Sequence, residues 1–193
     1  TALARDLPQG RAQVARLCSR DVSRLDATGV RETALETLAE NLNDAWVAPL
    51  FWFAVAGLPG AWAWRAANTL DAMWGYRGRW EWAGRCAARA DDLLAWLPAR
   101  LTALLLGASR GLRAEAARTP SPNGGWPMAA LALRLGLRLR KSGAYELNAG
   151  GRAPQPADTA QALRLCTRAA WLAVGWAVCA TVPAQAGAAA AAG

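Results

Sequence analysis

The stretch ETALETLAENLNDAWVAPLFW, Glu32 to Trp52, decides how this chain is read. In its first half Leu35, Leu38, Leu42 and Trp46 recur at the three- and four-residue steps of a helix with one buried stripe. Glu32, Glu36, Glu40 and Asp44 follow one another every four residues on another side. Like charges in that register repel and weaken an isolated helix, so the row asks for a cation, a cationic partner or water. Immediately afterwards residues 45–64, AWVAPLFWFAVAGLPGAWAW, carry no charge. An acidic helix running into a segment apolar enough for a bilayer is the central fact of the sequence.

That uncharged segment has the roughly twenty residues a bilayer crossing needs. Pro49 and the Leu58-Pro59-Gly60 break argue against one straight span, and a kinked or re-entrant helix pair fits equally well. Residues 61–75 predict a further helix ending at Gly75, with Asn68 and Asp71 on one face and Arg65 a turn earlier. YRGRWEW (76–82) reads as a turn whose aromatic cluster suits a membrane interface. The next helix, about 83–97, holds Asp91-Asp92. Pro98 is expected to split the apolar run that follows, and Arg100 interrupts it. The Leu101–Leu106 piece is too short to span and is expected in a core.

Residues 1–20 alternate Leu or Val with Arg at helical spacing and predict a surface helix. SRDVSRLDATG (19–29) is a loop that offers Asp26 or Thr28 as the N-cap of the acidic helix. Residues 109–118 form a basic helix end. TPSPNGGWP (119–127) predicts a rigid loop with positive φ available at Asn123, Gly124 or Gly125. Its glycine N–H groups could form an anion nest, though a plain turn accounts for them as well. Leu on every odd position of LALRLGLRLR (131–140) conflicts with the helix preference of its residues. The pattern gives helix to about Leu135 and allows one short hairpin near 136–147, closing through Lys141-Ser142-Gly143 onto AYEL. Residues 148–158 are loop, and a last helix starts at Ala157. From Ala169 onward no charge follows, so AAWLAVGWAVCATV reads as a second membrane segment anchored by Arg164 and Arg168.

Composition narrows the function. The chain has 193 residues and a formal charge of +8 with no histidine, which removes His-based triads and imidazole bases. Its basic residues are scattered from Arg5 to Arg168 rather than clustered, against a nucleic-acid face. Cys18, Cys86, Cys166 and Cys179 are far apart, form no CxxC pair, and read as small apolar fillers. Eleven tryptophans read as interface anchors and core. The fold class expected is all-α: a helical integral membrane protein of one domain, residues 1–193, with a low-complexity Ala/Gly tail at 184–193.

Taken together the motifs resemble the CobD/CbiB family of cobalamin biosynthesis, the cobinamide-phosphate synthases. The matching stretches are SRDVSRLD (19–26), ETLAENLNDAWVAPLFW (36–52), NTLDAMWGY (68–76), ADDLLAWLPARLTALLL (90–106), SPNGGWPMAA (121–130) and PADTAQALRL (156–165). They stand in the family's order and spacing, and the chain resembles its C-terminal two-thirds, without the N-terminal portion. Departures are Ala45 where the family usually has Gly, Trp96 where it has Asn, and Met128 where it has Glu.

The resemblance implies a multi-pass inner-membrane enzyme that forms an amide. A propionate carboxylate of adenosylcobyric acid would join the amine of (R)-1-amino-2-propanol or its phosphate. The acid must be activated, most simply through ATP with Mg²⁺ held by oxygen ligands, yet the sequence has no GxxxxGK[ST] loop. Glu36, Glu40, Asp71 and Arg100 are the candidate catalytic residues. Glu40, Asp44, Asp91 and Asp92 are the candidate metal ligands; Glu36, Glu40 and Asp44 can converge on one site, since four-residue steps drift only about 40° around a helix. Arg20, Arg65 and Arg77 are candidate oxyanion clamps. Asn41, Asn68 and Asn123, with Gly125 and Trp126, are candidates to orient the substrate amides. Partners implied are these small molecules, membrane lipid and other cobalamin-pathway enzymes. The alternative is a non-catalytic, AmpE-like membrane signalling protein of the same superfamily.

Overall fold

In the computed structural model the chain is helical apart from one two-stranded hairpin. The structure describes residues 6–18, 20–74 and 81–191, the last ten of these as helical backbone only. Helix α1 (Leu7–Ala15) is followed by a loop and by α2 (Ala27–Leu42), whose N-cap is Asp26, its carboxylate accepting from Gly29 N at 2.7 Å. A π-helical turn (Asn43–Val47) leads straight into α3 (Ala48–Trp74). Then come α4 (Glu81–Gly107), the short α5 (Leu112–Ala116), α6 (Gly125–Leu135), β1 (Leu139–Lys141), β2 (Tyr145–Leu147) and α7 (Pro156–Ala191).

The acidic helix is buried on both sides. Leu35, Ala39 and Leu42 enter the main core with Ala129 to Ala132 of α6 and Ala162 and Cys166 of α7. The opposite side is no solvent face, because Glu32 and Glu36 are each only 1% exposed beneath the N-terminal arm and the hairpin. The apolar stripe ends earlier than its spacing predicts. The π turn holds an extra residue per turn, which rotates Trp46 off the stripe and leaves it 45% exposed.

The uncharged segment reverses on itself. Ala56 (φ −135°, ψ 19°) and Gly57 (φ 62°, ψ −155°) break the helical path, the second in a region open essentially to glycine alone. A methyl placed on Gly60 would lie 2.8 Å from the Ala56 Cβ and 2.5 Å from the Trp52 carbonyl oxygen, so the returning limb presses on the outgoing one. Trp64 Nε1 also reaches back to the Asp44 carbonyl, at 3.1 Å. Of the two alternatives the sequence left open, the doubled-back helix pair is the one present. Two helical stretches, Ala27–Trp74 and Pro156–Thr181, are long and apolar enough to cross a membrane, but the first includes this reversal.

Pro98 does not split α4, which runs unbroken from Glu81 to Gly107. Proline removes the N–H that would pair with the carbonyl four residues earlier, Leu94, and Trp52 Nε1 donates to that oxygen at 3.0 Å instead. The same device acts in the π turn. Ala48 N–H bonds Asn43 O, the next donor in that register would be Pro49, and the Trp64 indole supplies the missing bond to Asp44 O. Pro49 itself sits in the first turn of α3, where its absent N–H costs little.

The hairpin forms as the alternation suggests, Leu139 opposite Leu147 and Lys141 opposite Tyr145. Leu137, Leu139 and Leu147 point into the core while Arg140 is exposed. Helix α7 runs alongside α2 and the outgoing limb of α3: Trp46 Nε1 donates to Ala170 O at 3.1 Å, and Phe51 stacks on Trp176. All four cysteines are free thiols. The Gly75 helix end and most of the 76–82 turn lie outside the described residues.

Candidate functional site

The acidic row begins against the N-terminal arm. Arg20 donates to Glu36 Oε2 at 2.7 Å and to Thr33 Oγ1 at 2.9 Å, while Glu36 Oε1 is buried without a hydrogen-bond partner. Tyr145 of β2 closes over this pair, and burial, with Glu36 and Glu40 beside it, pushes its phenol well above the ordinary range. One turn further on, Glu40 Oε1 lies against Gly124 of the SPNGGWP loop. Asp44 accepts from Asn43 Nδ2 at 2.8 Å, and Asn43 is locked in turn by Thr102 of α4, whose hydroxyl donates to it at 2.9 Å. The row thus leads from the arm, under the hairpin and the glycine loop, to the π turn.

A second group of polar residues begins where the row ends. Asn68, on the returning limb of α3, donates to Asp91 Oδ1 at 3.1 Å, and Arg65 Nη1 approaches Asn68 Oδ1 at 3.5 Å. Asn123 Nδ2 donates to the Asp92 carbonyl oxygen at 2.7 Å and its side-chain oxygen accepts from Arg100 at 3.1 Å. The Arg100 guanidinium lies between two indoles, 4.2 Å from the Trp96 ring and 4.5 Å from that of Trp126. That sandwich fixes the planar cation while leaving donors along its edge.

The electrostatics of this second group are one-sided. Burial pushes Asp91 up to about 6; the Asn68 hydrogen bond opposes the shift, and Asp44, Asp71 and Asp92 add to it. Asp92 is raised chiefly by burial and then by Asp71. Asp44, Asp71, Asp91 and Asp92 therefore feel one another as a single acidic field, contributed by the π turn, α3 and α4. Among the described residues no group of three or more His, Cys, Asp or Glu side chains is spaced to hold a metal ion by itself. A Mg²⁺ that keeps its waters and borrows ligand oxygens from a phosphate needs only one or two carboxylates, which this field can supply.

Most residues singled out in the sequence come together here. Glu36 and Arg20 pair, Glu40 and Asp44 continue their row, and Arg65, Asn68, Asp71, Asp91, Asp92, Arg100, Asn123 and Trp126 form the second group. Asn41 is the exception: it is exposed, turned away from Glu40 by the 100° per residue of an α-helix. Arg77 lies outside the described residues. The glycine loop also differs from expectation. Neither Gly124 (φ −57°) nor Gly125 nor Asn123 adopts positive φ, and the N–H groups of Asn123 and Gly124 are taken by Ser121 Oγ, so no anion nest forms. Gly125 is needed for closeness instead, since a methyl there would collide with the Ala116 carbonyl and Thr119 Oγ1. Thr33, Asn43, Trp96, Thr102 and Tyr145 are site residues that sequence reasoning missed. The four-residue step from Trp96 to Arg100 was the one signal available for any of them.

The family described as CobD/Cbib protein matches residues 1–166. A protein of Rhodobacter capsulatus named cobalamin biosynthesis protein CobD is 46% identical over 184 residues, covering 86% of this chain and 59% of the relative. Its namesake in Stutzerimonas stutzeri is 48% identical over 88% of this chain and 60% of its own length. A probable CobD of Pyrococcus abyssi is 46% identical over 82% and 55%. The chain thus spans somewhat over half the length of these relatives. No solved structure matches it.

Proposed function

Because this chain belongs to the CobD/CbiB family, we propose that it carries most of the active site of the amide-forming step of cobalamin biosynthesis. In that step the amine of (R)-1-amino-2-propanol, or of its phosphate, is joined to a propionate of adenosylcobyric acid. The observation that carries the reading is the linkage of Asn68 to Asp91 and of Asn123 to both Arg100 and Asp92. Residues of motifs distant in the chain support one another there, setting a fixed cation beside a cluster of carboxylates.

The chemistry divides among the chain's own residues. A carboxylate and an ammonium ion form a salt in water, not an amide, so the acid must be activated and the amine must lose a proton. Arg100, held flat between Trp96 and Trp126, offers N–H donors to an oxyanion of the activated acid. Asn68 holds Asp91 in one orientation, and Asn123 positions Asp92 and Arg100. One or two of Asp91, Asp92 and Asp44, the last of these closing the acidic row at the π turn, would hold Mg²⁺. When bound with ATP, that ion supplies charge neutralisation for phosphoryl transfer. Glu40, opposite Gly124, is the acceptor for the proton the amine releases as the C–N bond forms.

Membrane residence belongs to the same proposal. The exposed Phe53, Val55, Leu58 and Trp62 around the reversal, and Trp171, Leu172 and Val178 on α7, form a surface suited to lipid. Met128 favours the second reading, a non-catalytic signalling protein. It is buried, with Tyr145 Oη 3.7 Å from its sulfur, at the position where the resemblance expects a carboxylate.

The test is complementation by this chain, alone and joined to the part of a relative that it does not span, in a strain that accumulates cobyric acid. The unsubstituted protein should restore cobinamide formation, and Asp91→Asn or Arg100→Gln should abolish it with the protein still in the membrane fraction. Undiminished growth with both substitutions would remove this cluster from the chemistry.

A further inference from the structure

We propose that the apolar groove at the C-terminal end of α4, where α5 and Trp126 of α6 meet it, binds an anionic glycerophospholipid of the surrounding bilayer. An acyl chain would lie in the groove, with the phosphodiester against Arg113 and Arg110. Such a site needs the membrane residence proposed above and none of the amide-forming chemistry.

The groove has a volume of about 720 Å³. Leu104, Leu112, Trp126 and three alanines form its wall, and Ser109 and Arg113 are the polar side chains of its lining. Its size falls within the roughly 300–1,000 Å³ of ligand sites. Leu104 also belongs to an exposed side of α4. Leu93, Leu97 and Leu104 lie within about 40° of one another around that helix. They are 77%, 51% and 64% exposed. Arg100 shares this side but is held flat between Trp96 and Trp126. The apolar lane ends in the groove, which gives a chain lying along α4 a continuous path into it.

Charge selects the lipid. Arg113 lines both the groove and a neighbouring cavity of about 300 Å³, which shares Ala117 and Trp126 with it. Arg110 stands in the turn between Ser109 and Gly111, two lining residues. Both arginines are exposed, and among the described residues neither side chain forms an ion pair or hydrogen bond. No acid lines either cavity. Glu115, the acid of α5, already accepts from Asn148 N at 2.7 Å and pairs with Arg118 at 3.2 Å. Guanidinium groups match phosphate oxygens, and basic pockets beside membrane helices hold anionic head groups. The ammonium of a zwitterionic lipid would meet two cations and no counter-charge. A free phosphate would leave the carbon-lined groove to water. Trp126 is a wall of the groove and one side of the Arg100 sandwich, so a chain packed there would brace that cation.

The intact chain, purified in detergent, is titrated in mixed micelles with dioleoyl phosphatidylglycerol, with dioleoyl phosphatidylcholine, and with phosphatidylglycerol brominated along its chains. Phosphatidylglycerol should bind roughly five-fold or more tighter than phosphatidylcholine. The brominated lipid should quench a component of the emission that Trp126→Phe removes. Arg110→Gln with Arg113→Gln, both at exposed positions, should bring the two lipids to parity. Leu104→Gln, also exposed, should weaken both. Neither inorganic phosphate nor sn-glycero-3-phosphoglycerol, the head group without chains, should compete. Equal affinity for the two lipids would overturn the proposal, as would competition by the chain-free head group, indifference to the arginine substitutions, or quenching unchanged by Trp126→Phe. If the chain sediments with membranes and shows no lipid preference, this inference alone fails. If it stays in solution without detergent and still selects phosphatidylglycerol, the membrane residence fails alone.

Discussion

The indole N–H of Trp52 donates to the carbonyl oxygen of Leu94 at 3.0 Å, and that oxygen is the one Pro98 leaves without a partner. An aromatic residue of the apolar hairpin therefore completes the hydrogen bonding of a different helix. Trp52→Phe should cost about 1–3 kcal/mol, the penalty of an unsatisfied carbonyl added to the lost ring area. Pro98→Ala restores an N–H for Leu94, so the same Phe substitution in that background should cost roughly 1 kcal/mol less. Denaturation of the four proteins in detergent gives the cycle, and equal costs in both backgrounds would remove the indole from this role.

Arg20 and Glu36 form a pair whose acid is 1% exposed and whose base is 21% exposed. Replacing Arg20 by Gln strands a charge already short of one donor, and should cost about 3–5 kcal/mol. Adding Glu36→Gln should recover most of that loss. Melting temperatures of the single and double variants decide it, since a double variant no more stable than Arg20→Gln would show that the arm matters for packing and not charge.

Asp91, pushed up to about 6, gives a signed pH dependence. Its folded-state value lies above the ordinary 3.8, so the stability linked to its protonated form is full below about pH 4 and is lost as pH rises through about 6. Asp91→Asn should therefore raise stability near pH 7.5, by roughly 1–2 kcal/mol after allowing for partial exposure, and have little effect at pH 4. Dications need the ionised form, so Mg²⁺ should protect the native protein against heat above pH 6 and lose that effect below it. Protection that is flat with pH, or unchanged by Asp91→Asn, would exclude Asp91 as a ligand.

Gly125→Ala probes the junction under Trp126. Its methyl would meet the Ala116 carbonyl and Thr119 Oγ1, an overpacking of about 1–3 kcal/mol. Because Trp126 is the adjacent residue, the Arg100 sandwich should loosen as well, with a shift in tryptophan emission. A variant as stable as the parent, with its emission unchanged, would mean the loop accommodates the methyl freely.

Much of this was legible from residue spacing. The Asp26 cap, the hairpin after Leu135 and the last helix follow from local rules, and the grouping of Glu36, Asn68, Asp91, Arg100 and Asn123 follows from shared motifs. Spacing along one helix did not show that the Glu32–Glu36 side is buried, because the cover comes from an arm and a hairpin distant in sequence. Trp46 left its stripe because a π turn changes the period within the element. Pro98 proved harmless because its missing bond is answered by a residue 46 positions earlier, from Trp52. Tyr145 and Thr102 looked like ordinary strand and core residues, since nothing local marks a side chain whose partner is remote.

The reversal at Ala56–Gly57 has a consequence for sidedness. From Ala45 to Val55 the outgoing limb rises only about 16 Å, roughly half the thickness of a bilayer's hydrocarbon. A loop that dives and resurfaces at the same bank hands its two polar ends to one aqueous compartment. Glu40 at one end and Asp71 at the other would then share a single pool of solutes, and product would leave by the face through which reactants came. Cysteines introduced at the exposed Asn41 and Thr69 should both react with an impermeant maleimide from the same side of sealed vesicles.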